Sequence, residues 1–347
     1  IAPLLSHTPH VATAVFAIGV LTAFLAATMA LVENDIKRIL AFSTVSQLGF
    51  MMAAVGAGSA SSAYFHLLTH AFFKALLFLA AGSLIHAVHT NDIFKMGRLT
   101  RVMPITSACF AAGALALSGV FPTAGFFSKD EVLAALLAGG HPIGFAILVV
   151  TAGMTAFYIG RAFFVAMMGP TNPPGHPHEP PAAMKTPLIV LAVLAVVAGA
   201  LARLIPGLFA MSIAPHAGAE EHAPFIVPLL GTTAALVGLA LAFLGYQQRA
   251  FDPGSVRRAV GPLVTVLERR WYVDDVFEFG YRLAYLKISN AVGWVDRYVV
   301  DGLVNAVTWG TWVFAGRLTA MQNGRVQSAL YATAFGLVVL VWLAWAR

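Results

Sequence analysis

Three ionisable residues occur at intervals of four inside a long apolar run: His66, His70 and Lys74 in YFHLLTHAFFKALLFLAAGSLIHAV. Four residues turn an α-helix about 40° beyond a full circle, so the three side chains form one slowly winding stripe. A charge at the centre of a bilayer costs roughly 2.5–3.5 kcal/mol even on the mildest scale, so an intramembrane lysine indicates a functional site. Histidine titrates near neutral pH, and a desolvated lysine exchanges protons more readily. The stripe therefore predicts a proton relay, with His86 further along the same helix.

A buried histidine also has a simpler interpretation. Its ring can donate a hydrogen bond to a carbonyl on a neighbouring helix and stay neutral, which is a packing role. Three groups in register, one of them a lysine, favour the relay.

A second lysine, Lys129 in FFSKDEV, follows an interruption of its apolar segment at GVFPTAG. Pro122 removes a backbone donor there, which predicts a broken helix. Transporters use broken membrane helices to build ion sites, so Lys129 is a candidate for a second, outward station. In the alternative interpretation Lys129 snorkels to the surface, with Asp130 and Glu131 as local ion-pair partners.

Polar side chains also form a ridge on the apolar segment that precedes the stripe. Small polar groups in membrane helices usually serve close packing and interhelical hydrogen bonds, and the same groups could hold water beside the stripe. Arg161, in FYIGRAFF, lies late in its own segment, where snorkelling is the simplest role. The ridge consists of Ser43, Thr44, Ser46 and Gln47.

The composition indicates which elements must position these groups. Of the 347 residues, 59% are hydrophobic and only 10% are charged, whereas soluble domains carry about 25% charged residues. The chain is therefore a polytopic membrane protein, and its net charge of +6 is interpreted as loop charge rather than as a nucleic-acid surface. The one cysteine, Cys109, lies in an apolar run, which excludes a disulfide framework.

Motifs for nucleotide or electron chemistry are not found in the sequence, which contains no phosphate loop, dinucleotide fingerprint or Cys/His cluster. The proline-rich stretch GPTNPPGHPHEPPAAMK predicts a surface loop. Its His176 and His178 have no acidic or thiol partners nearby, so we do not expect a metal there.

Windows of roughly 20 apolar residues, the length that crosses a bilayer core, predict an all-α integral membrane protein with eight spans. The fourth window is too long for one straight helix and contains the break at Pro122. Irregular backbone at membrane depth persists only where protein buries it or water lines it. The windows are 11–32, 38–57, 62–88, 104–138, 142–168, 184–206, 225–247 and 328–346.

The loops between the windows divide by charge. The loops 58–61, 139–141 and 207–224 carry no Lys or Arg, and the exceptions to the division are Arg203 and Arg347. By the positive-inside rule the basic loops face the cytoplasm and the N-terminus starts outside. The basic side holds Lys37, Arg38, Lys95, Arg98, Arg101, Lys185, Arg249, Arg257 and Arg258.

The segment 250–327 is charged and then amphipathic. If residues 282–321 are helical, one face is apolar and the opposite face is polar. All six tryptophans follow residue 270, which suits the membrane interface. We predict a long helix along the cytoplasmic membrane surface; in the alternative, 302–316 enters the bilayer as a ninth span, which Asp301 disfavours.

Three runs closely resemble the antiporter-like membrane subunits of respiratory complex I and their relatives in Mrp-type cation/proton antiporters. They are ALVENDIKRILAFSTVSQLGFM, HLLTHAFFKALLFLAAGSLIH and LSGVFPTAGFFSKDEVL. Within that family, WYVDDVFE, DRYVVDGLVNAV and NGRVQSALYA resemble the tail of the L subunit, the counterpart of mitochondrial subunit 5. In that subunit a lateral helix runs along the membrane arm and ends in one more span, and the amphipathic segment matches it in place and length.

The resemblance implies two inverted five-helix repeats, each with a broken helix and a buried lysine, joined by a hydrophilic axis. Residues 1–168 resemble only the second repeat, so we expect a first repeat before Ile1. The remaining divisions implied are two further spans in 169–247, the connector and lateral helix in 248–327, and a last span in 328–347.

The resemblance also implies roles for the ionisable residues. Lys74 and His70 match the family's central-axis groups, His66 and His86 its flanking path, and Lys129 the lysine of the outward proton route. The family couples proton translocation to the reduction of quinone by NADH, so the implied activity is that of a translocase subunit of NADH:quinone oxidoreductase.

Cofactors and partners follow from the same resemblance. FMN and iron–sulfur clusters are expected in other subunits, and no cofactor, metal or electron-transfer site is expected in this chain. The expected partners are neighbouring antiporter-like subunits along the lateral helix and the lipid bilayer, not nucleic acid. The expected location is the bacterial inner (cell) membrane.

Two other functions fit the sequence. One is an Mrp-like antiporter that exchanges Na⁺ or K⁺ for H⁺; a buried carboxylate cage would favour it, and no buried carboxylate pair is evident in the spans. The other is a structural brace of the membrane arm, in which the histidine stripe is merely packed.

Overall fold

The computed structural model describes residues 7–174, 177–204, 224–250, 252–321 and 324–346. Across these ranges the chain is helical, and the only extended pairing is an isolated bridge between Asp35 and Asp92. The chain divides into two compact units, Ile1–Trp271 and Tyr272–Arg347.

The first unit holds the candidate site. Its main helices, within the described ranges, are α1 (Pro9–Val32), α2 (Ile36–Gly56), α3 (Ala60–Val88), α4 (Pro104–Ser118), α5 (Ala124–Ala138), α6 (Pro142–Met168), α7 (Ala182–Leu204) and α8 (Ile226–Ala242), followed by the short helices α9 (Pro253–Val260) and α10 (Pro262–Glu268). A π-helical turn, Phe243–Gln247, continues α8.

The spans agree with the apolar windows. In the described residues, seven helices are long and apolar enough to cross a membrane: α1, α2, α3, α6, α7, α8 with its π-helical turn, and Val326–Trp345 of the second unit. The eighth window is the pair α4 and α5, which residues 119–123 separate. The all-α membrane class, the eight predicted spans and the break at Pro122 are confirmed.

Local chemistry explains where α2 begins and how closely it packs. Asp35 is its N-cap, and Oδ1 accepts hydrogen bonds from the backbone N–H of Lys37 at 2.8 Å and Arg38 at 3.1 Å. Further along, Gly49 meets Gly19 of α1, and a Cβ on either glycine would overlap main-chain atoms of the other helix. Small residues at such a crossing let two membrane helices approach closely.

The buried side chains form two apolar clusters with a polar layer between them. On α2 the first cluster contains Ile36, Ile39 and Leu40 and the second begins at Phe50, whereas the buried residues between are polar. On α3 the second cluster contains Ala63 and the first begins at Phe73. We call the buried polar residues between the clusters the polar layer; they are Ser43, Ser46, Gln47, His66, Thr69, His70, Ser128, Lys129, Thr151 and Thr155.

The second unit is one long helical segment followed by a single helix. The segment consists of α11 (Val273–Gly280), α12 (Lys287–Val295) and α13 (Asp301–Met321), joined by π-helical turns at Tyr281–Leu286 and Asp296–Val300, and α14 is Val326–Trp345. The predicted helix over 282–321 is therefore confirmed. Helix α13 is long enough to cross a membrane but is not among the seven apolar spans, which disfavours a ninth span at 302–316.

Candidate functional site

All three residues of the stripe are buried inside the helix bundle. His66 is 0% exposed, and His70 and Lys74 are each 5% exposed. Helix α3 packs against α2, α4, α5 and α7, so the stripe faces protein rather than lipid. The four-residue spacing therefore places all three groups inside the bundle, where their hydrogen-bond partners determine what they can do chemically.

His66 links two neighbouring helices. Its Nε2 lies 3.0 Å from Oε1 of Gln47 on α2, and its Nδ1 lies 3.0 Å from the hydroxyl of Ser128 on α5. Because Oε1 can only accept, Nε2 carries a proton in this contact, and Nδ1 of the neutral ring can accept from the Ser128 hydroxyl, which also has the Ala124 carbonyl as an acceptor at 3.2 Å. The hydroxyl of Thr69 donates to Ser128 Oγ at 2.6 Å. The result is a row of hydrogen bonds that crosses from α5 to α2 through His66.

Lys129 lies just after the broken helix and joins its two halves. Its Nζ donates to the carbonyl oxygen of Leu117 in the last turn of α4 at 2.7 Å. Such a carbonyl lacks an intrahelical partner, and the helix dipole favours a cation there. Gly125 permits this geometry, since a Cβ at that position would overlap the carbonyl of Ala116.

The structure contradicts the alternative in which Lys129 snorkels to the surface. The residue is only 3% exposed. Its ammonium group also lies 5.7 Å from the centre of the Phe50 ring, in a cation–π arrangement. Lys129 is therefore an interior cation of the polar layer.

Lys74 has a different environment from Lys129. Its Nζ donates to the hydroxyl of Ser43 on α2 at 2.8 Å. The ammonium group lies 5.7 Å from the centre of the Phe78 ring. Beyond Ser43 lies the buried Tyr158 of α6, whose hydroxyl is near Ser43 and Thr155 but has no hydrogen-bond partner among the described residues. Lys74 thus contacts neutral groups that lead away from the histidines.

His70 lies between His66 and Lys74 and has no protein hydrogen bond at Nε2. Its ring centre is 6.2 Å from that of His66 and 5.3 Å from that of Phe73. The amide nitrogen of Gln47 is also buried without a hydrogen-bond partner among the described residues. The packing interpretation, in which each histidine donates to a neighbouring carbonyl, does not describe these contacts.

The polar ridge of α2 divides between two roles. Ser43 and Gln47 contact the stripe directly. Ser46 donates to the carbonyl of Ala23 on α1 at 2.8 Å, which is the expected interhelical hydrogen bond. Thr44 donates to Leu40 of its own helix at 2.9 Å.

His86, predicted for the flanking path, lies away from the polar layer. His86 is exposed near the end of α3, and its ring centre is 6.3 Å from that of His89. Of the loop histidines, His176 lies outside the described residues. Among the residues that the structure describes, no group of three or more His, Cys, Asp or Glu could hold a metal ion.

The proline-rich loop is tied to the bundle by Glu179. Its Oε1 accepts from the backbone N–H of Ile105 at 2.6 Å and of Thr106 at 3.1 Å, and Oε2 accepts from the Thr106 hydroxyl at 2.7 Å. The side chain of Arg98 donates to Asn172 at 3.0 Å. The loop therefore supplies the N-terminal cap of α4, the first half of the broken helix.

The role suggested for Arg161 from the sequence is wrong. Arg161 is 4% exposed, and its guanidinium donates to the main-chain carbonyl of Glu33 at the end of α1. It lies inside the bundle and does not snorkel. Tyr158 lies one helical turn before Arg161, so the two polar residues share one face of α6, which favours burial of that face in the bundle.

Several residues of the site were not predicted. Ser128 and Thr69 complete the row through His66, and Tyr158 extends the contacts of Lys74. Asp130, expected as a surface ion-pair partner, is only 8% exposed. The sequence could have indicated Ser128 and Asp130, because they are adjacent to Lys129. It could also have indicated Tyr158, because this residue lies one helical turn before Arg161.

Comparison with known proteins identifies the family. Residues 1–155 match the family model described as NADH:quinone oxidoreductase/Mrp antiporter, TM. The chain is 36% identical to the NAD(P)H-quinone oxidoreductase chain 5 of Synechocystis, over 94% of this chain and 56% of that protein. It is 32% identical to the NADH-quinone oxidoreductase subunit L of Rhodobacter capsulatus, over 98% of this chain and 60% of that protein. The chain thus spans little more than half the length of these relatives.

A solved structure has the same fold. The Mrp complex from a Dietzia species aligns with a TM-score of 0.55 and 24% sequence identity, over 94% of this chain and 33% of that chain. This likeness supports the helical membrane fold, while the sequence relatives carry the family assignment. Residues 1–155 thus match the membrane-subunit family that NADH:quinone oxidoreductases and Mrp antiporters share, and nearly the whole chain is similar to the subunit 5 and subunit L relatives.

Proposed function

We propose that this chain is part of a proton-translocating membrane subunit of an NADH:quinone oxidoreductase. The observation that carries the proposal is the burial of two lysines on neighbouring helices of one bundle, Lys129 in the polar layer and Lys74 one helical turn beyond its His70. Their ammonium groups donate to a hydroxyl and to a carbonyl, both neutral acceptors. A lysine whose ammonium group is bonded to a neutral acceptor can lose its proton without breaking an ion pair with that acceptor.

The histidines supply the connection between the lysines. Lys74 lies one helical turn from His70, and His70 lies one turn from His66. His66 in turn contacts Ser128, the residue before Lys129. Buried polar atoms in native proteins are nearly always paired with protein or ordered water, so we place bridging waters at Nε2 of His70 and at the amide nitrogen of Gln47. The proposed order is Lys74, His70, His66, Ser128 and Lys129.

The wider assignment rests on the relatives and the charge of the loops. We propose that residues 1–168 form the second of two repeats and that quinone reduction, FMN and iron–sulfur clusters belong to other subunits of the complex. The basic loops would face the cytoplasm of a bacterial cell, with the chain in the inner membrane. The amphipathic segment of the second unit would contact neighbouring membrane subunits.

The test is to replace each lysine in the complete complex. Lys74→Ala and Lys129→Ala are each expected to lower NADH-driven proton uptake into inverted membrane vesicles several-fold. The NADH:quinone reductase rate measured with an uncoupler, and the assembly of the complex on native gels, report whether electron transfer and folding survive. Lys95→Ala is the matched control, because Lys95 is an exposed lysine of a basic loop. Normal proton uptake per NADH in both lysine variants would rule out the relay.

A cation/proton antiporter is the second candidate, and one observation favours it. Asp130 is buried next to Lys129, and its Oδ1 faces Gly231 of α8. A buried carboxylate can supply an oxygen ligand and a compensating negative charge for a bound Na⁺ or K⁺. Proton movement that depends on an imposed Na⁺ or K⁺ gradient without NADH, and that Asp130→Asn abolishes, would favour this function over the first.

A further inference from the structure

Lys74 has polar neighbours on two sides, and only one of these sides leads toward the histidines. On the other side, Nζ contacts the hydroxyl of Ser43, and the hydroxyl of Tyr158 lies beside Ser43. Helix α2 begins in a basic loop and α6 ends near one, so Ser43 and Tyr158 lie between Lys74 and the basic face of the bundle. The Tyr158 hydroxyl is buried without a hydrogen-bond partner among the described residues, so a water that bridges it to Ser43 would complete a polar route from Lys74 toward the face opposite to the proposed outward exit.

Arg161 lies across that route. It is one helical turn beyond Tyr158 on α6, on the side of the basic loops, and is 4% exposed. One of its terminal nitrogens donates to the main-chain carbonyl of Glu33, and its Nε is buried without a hydrogen-bond partner. The hydroxyl of Tyr246, in the turn after α8, lies next to the guanidinium.

Arg161 lies near a carboxylate that two other arginines also approach. The carboxylate of Glu33 is the negative group nearby, and it also lies 3.9 Å from a guanidinium nitrogen of Arg38 and 3.9 Å from one of Arg270. Three arginines thus share one carboxylate at this end of the bundle. Arg161 is the buried cation of this group, since it is only 4% exposed.

We propose that Arg161 is a fixed positive barrier that closes the basic-side route to Lys74 and prevents protons from returning along it. A guanidinium keeps its proton in proteins, so it cannot pass one on as lysine or histidine does. In a buried setting its charge repels an approaching proton more strongly than it would in water. A buried arginine is known to exclude protons from membrane pores by this effect. The inference rests on the proposed function, because it assigns a direction to the same path.

The experiment measures passive proton leak in the complete complex, reconstituted in liposomes without NADH and under an imposed potassium diffusion potential. Arg161→Gln is expected to raise the leak several-fold, to lower the NADH-driven pH gradient and to leave uncoupled quinone reduction unchanged. Arg161→Lys retains a cation, but one that can exchange its proton, so it is expected to leak less than Arg161→Gln and more than the unaltered complex. Arg101→Gln is the control, since Arg101 is an exposed arginine on the same side.

A second neutral variant distinguishes the loss of the positive charge from a folding defect. Arg161→Met removes the charge but fills a similar volume, and it is expected to leak like Arg161→Gln. A complex that stays tight to protons with Arg161→Gln or Arg161→Met would overturn the proposal. The proposal would also fail if neither neutral variant assembled while Arg161→Lys did, because Arg161 would then be structural. The leak assay needs no turnover, so a tight Arg161→Gln complex beside a non-pumping Lys74→Ala complex refutes only the barrier. Normal pumping in Lys74→Ala refutes the proposed function itself.

Discussion

The ammonium nitrogen of Lys129 lies 2.7 Å from the carbonyl oxygen of Leu117, so the second half of the broken helix closes the end of the first. In the proposed relay Lys129 would have two roles, as the partner of an otherwise unpaired carbonyl and as a site that exchanges a proton. Loss of the proton weakens the hydrogen bond, because a charged donor binds more strongly than a neutral amine. Proton release from Lys129 is therefore coupled to the geometry of the break.

Lys129→Arg separates charge from proton exchange. Arginine can keep a hydrogen bond to the Leu117 carbonyl, but its guanidinium does not release a proton. We expect the variant to assemble and to lose most of its proton pumping, measured as dye quenching per NADH oxidised in inverted vesicles. If Lys129 were only a fixed charge that holds the break in place, the Lys129→Arg complex would pump protons normally.

Ser128→Ala tests the row of hydrogen bonds through His66. The variant removes the hydroxyl that contacts Nδ1 of His66 and accepts from Thr69. A neutral hydrogen bond contributes roughly 0.5–1.5 kcal/mol, so the pumping rate should fall by about two- to tenfold if the row carries the proton. The control is Ser83→Ala, which removes a buried hydroxyl bonded only to Leu79 of its own helix. Equal rates for the two variants would contradict a path through Ser128.

Gly49→Ala tests the crossing of α1 and α2. Its added methyl group would overlap the main chain of α1 at Ala23 and Gly19. Overpacking of this kind costs about 1–3 kcal/mol, so the thermal unfolding temperature of the complex should fall. Gly82→Ala is the matched control, since a Cβ there meets nothing within 4 Å, and alanine in a helix is favoured by roughly 0.5–1 kcal/mol. A stable Gly49→Ala variant would show that the crossing is looser than described.

Glu179→Ala tests the cap that the proline-rich loop provides. The first turn of α4 would lose the carboxylate that accepts from Ile105 and Thr106. Loss of an N-cap costs about 0.5–2 kcal/mol, and amide hydrogen exchange at the start of α4 should accelerate correspondingly. Glu278→Ala, which removes an exposed i,i+4 pair with Arg282, should leave this exchange unchanged. Unchanged exchange in Glu179→Ala would mean that α4 holds its first turn without the loop.

The site was predicted best where local pattern decides it. The intervals of four place His66, His70 and Lys74 on one face of α3, and all three are buried. Pro122 correctly indicated the break, because proline acts on its own helical turn. Arg161 was interpreted wrongly, since snorkelling and burial look alike in a single segment and only the neighbouring helices α1 and α8 distinguish them.

The amino-acid sequence by itself determined the membrane class, the spans, the break and the residues able to exchange protons, because hydropathy and helical period are properties of short segments. The tertiary structure alone decided which partners these residues meet. Lys74 and Ser43 are 31 positions apart, His66 and Ser128 are 62 apart, and Arg161 and Glu33 are 128 apart. Such contacts depend on how each helix is rotated and how closely it crosses its neighbours, which the packing of small residues across the whole bundle sets.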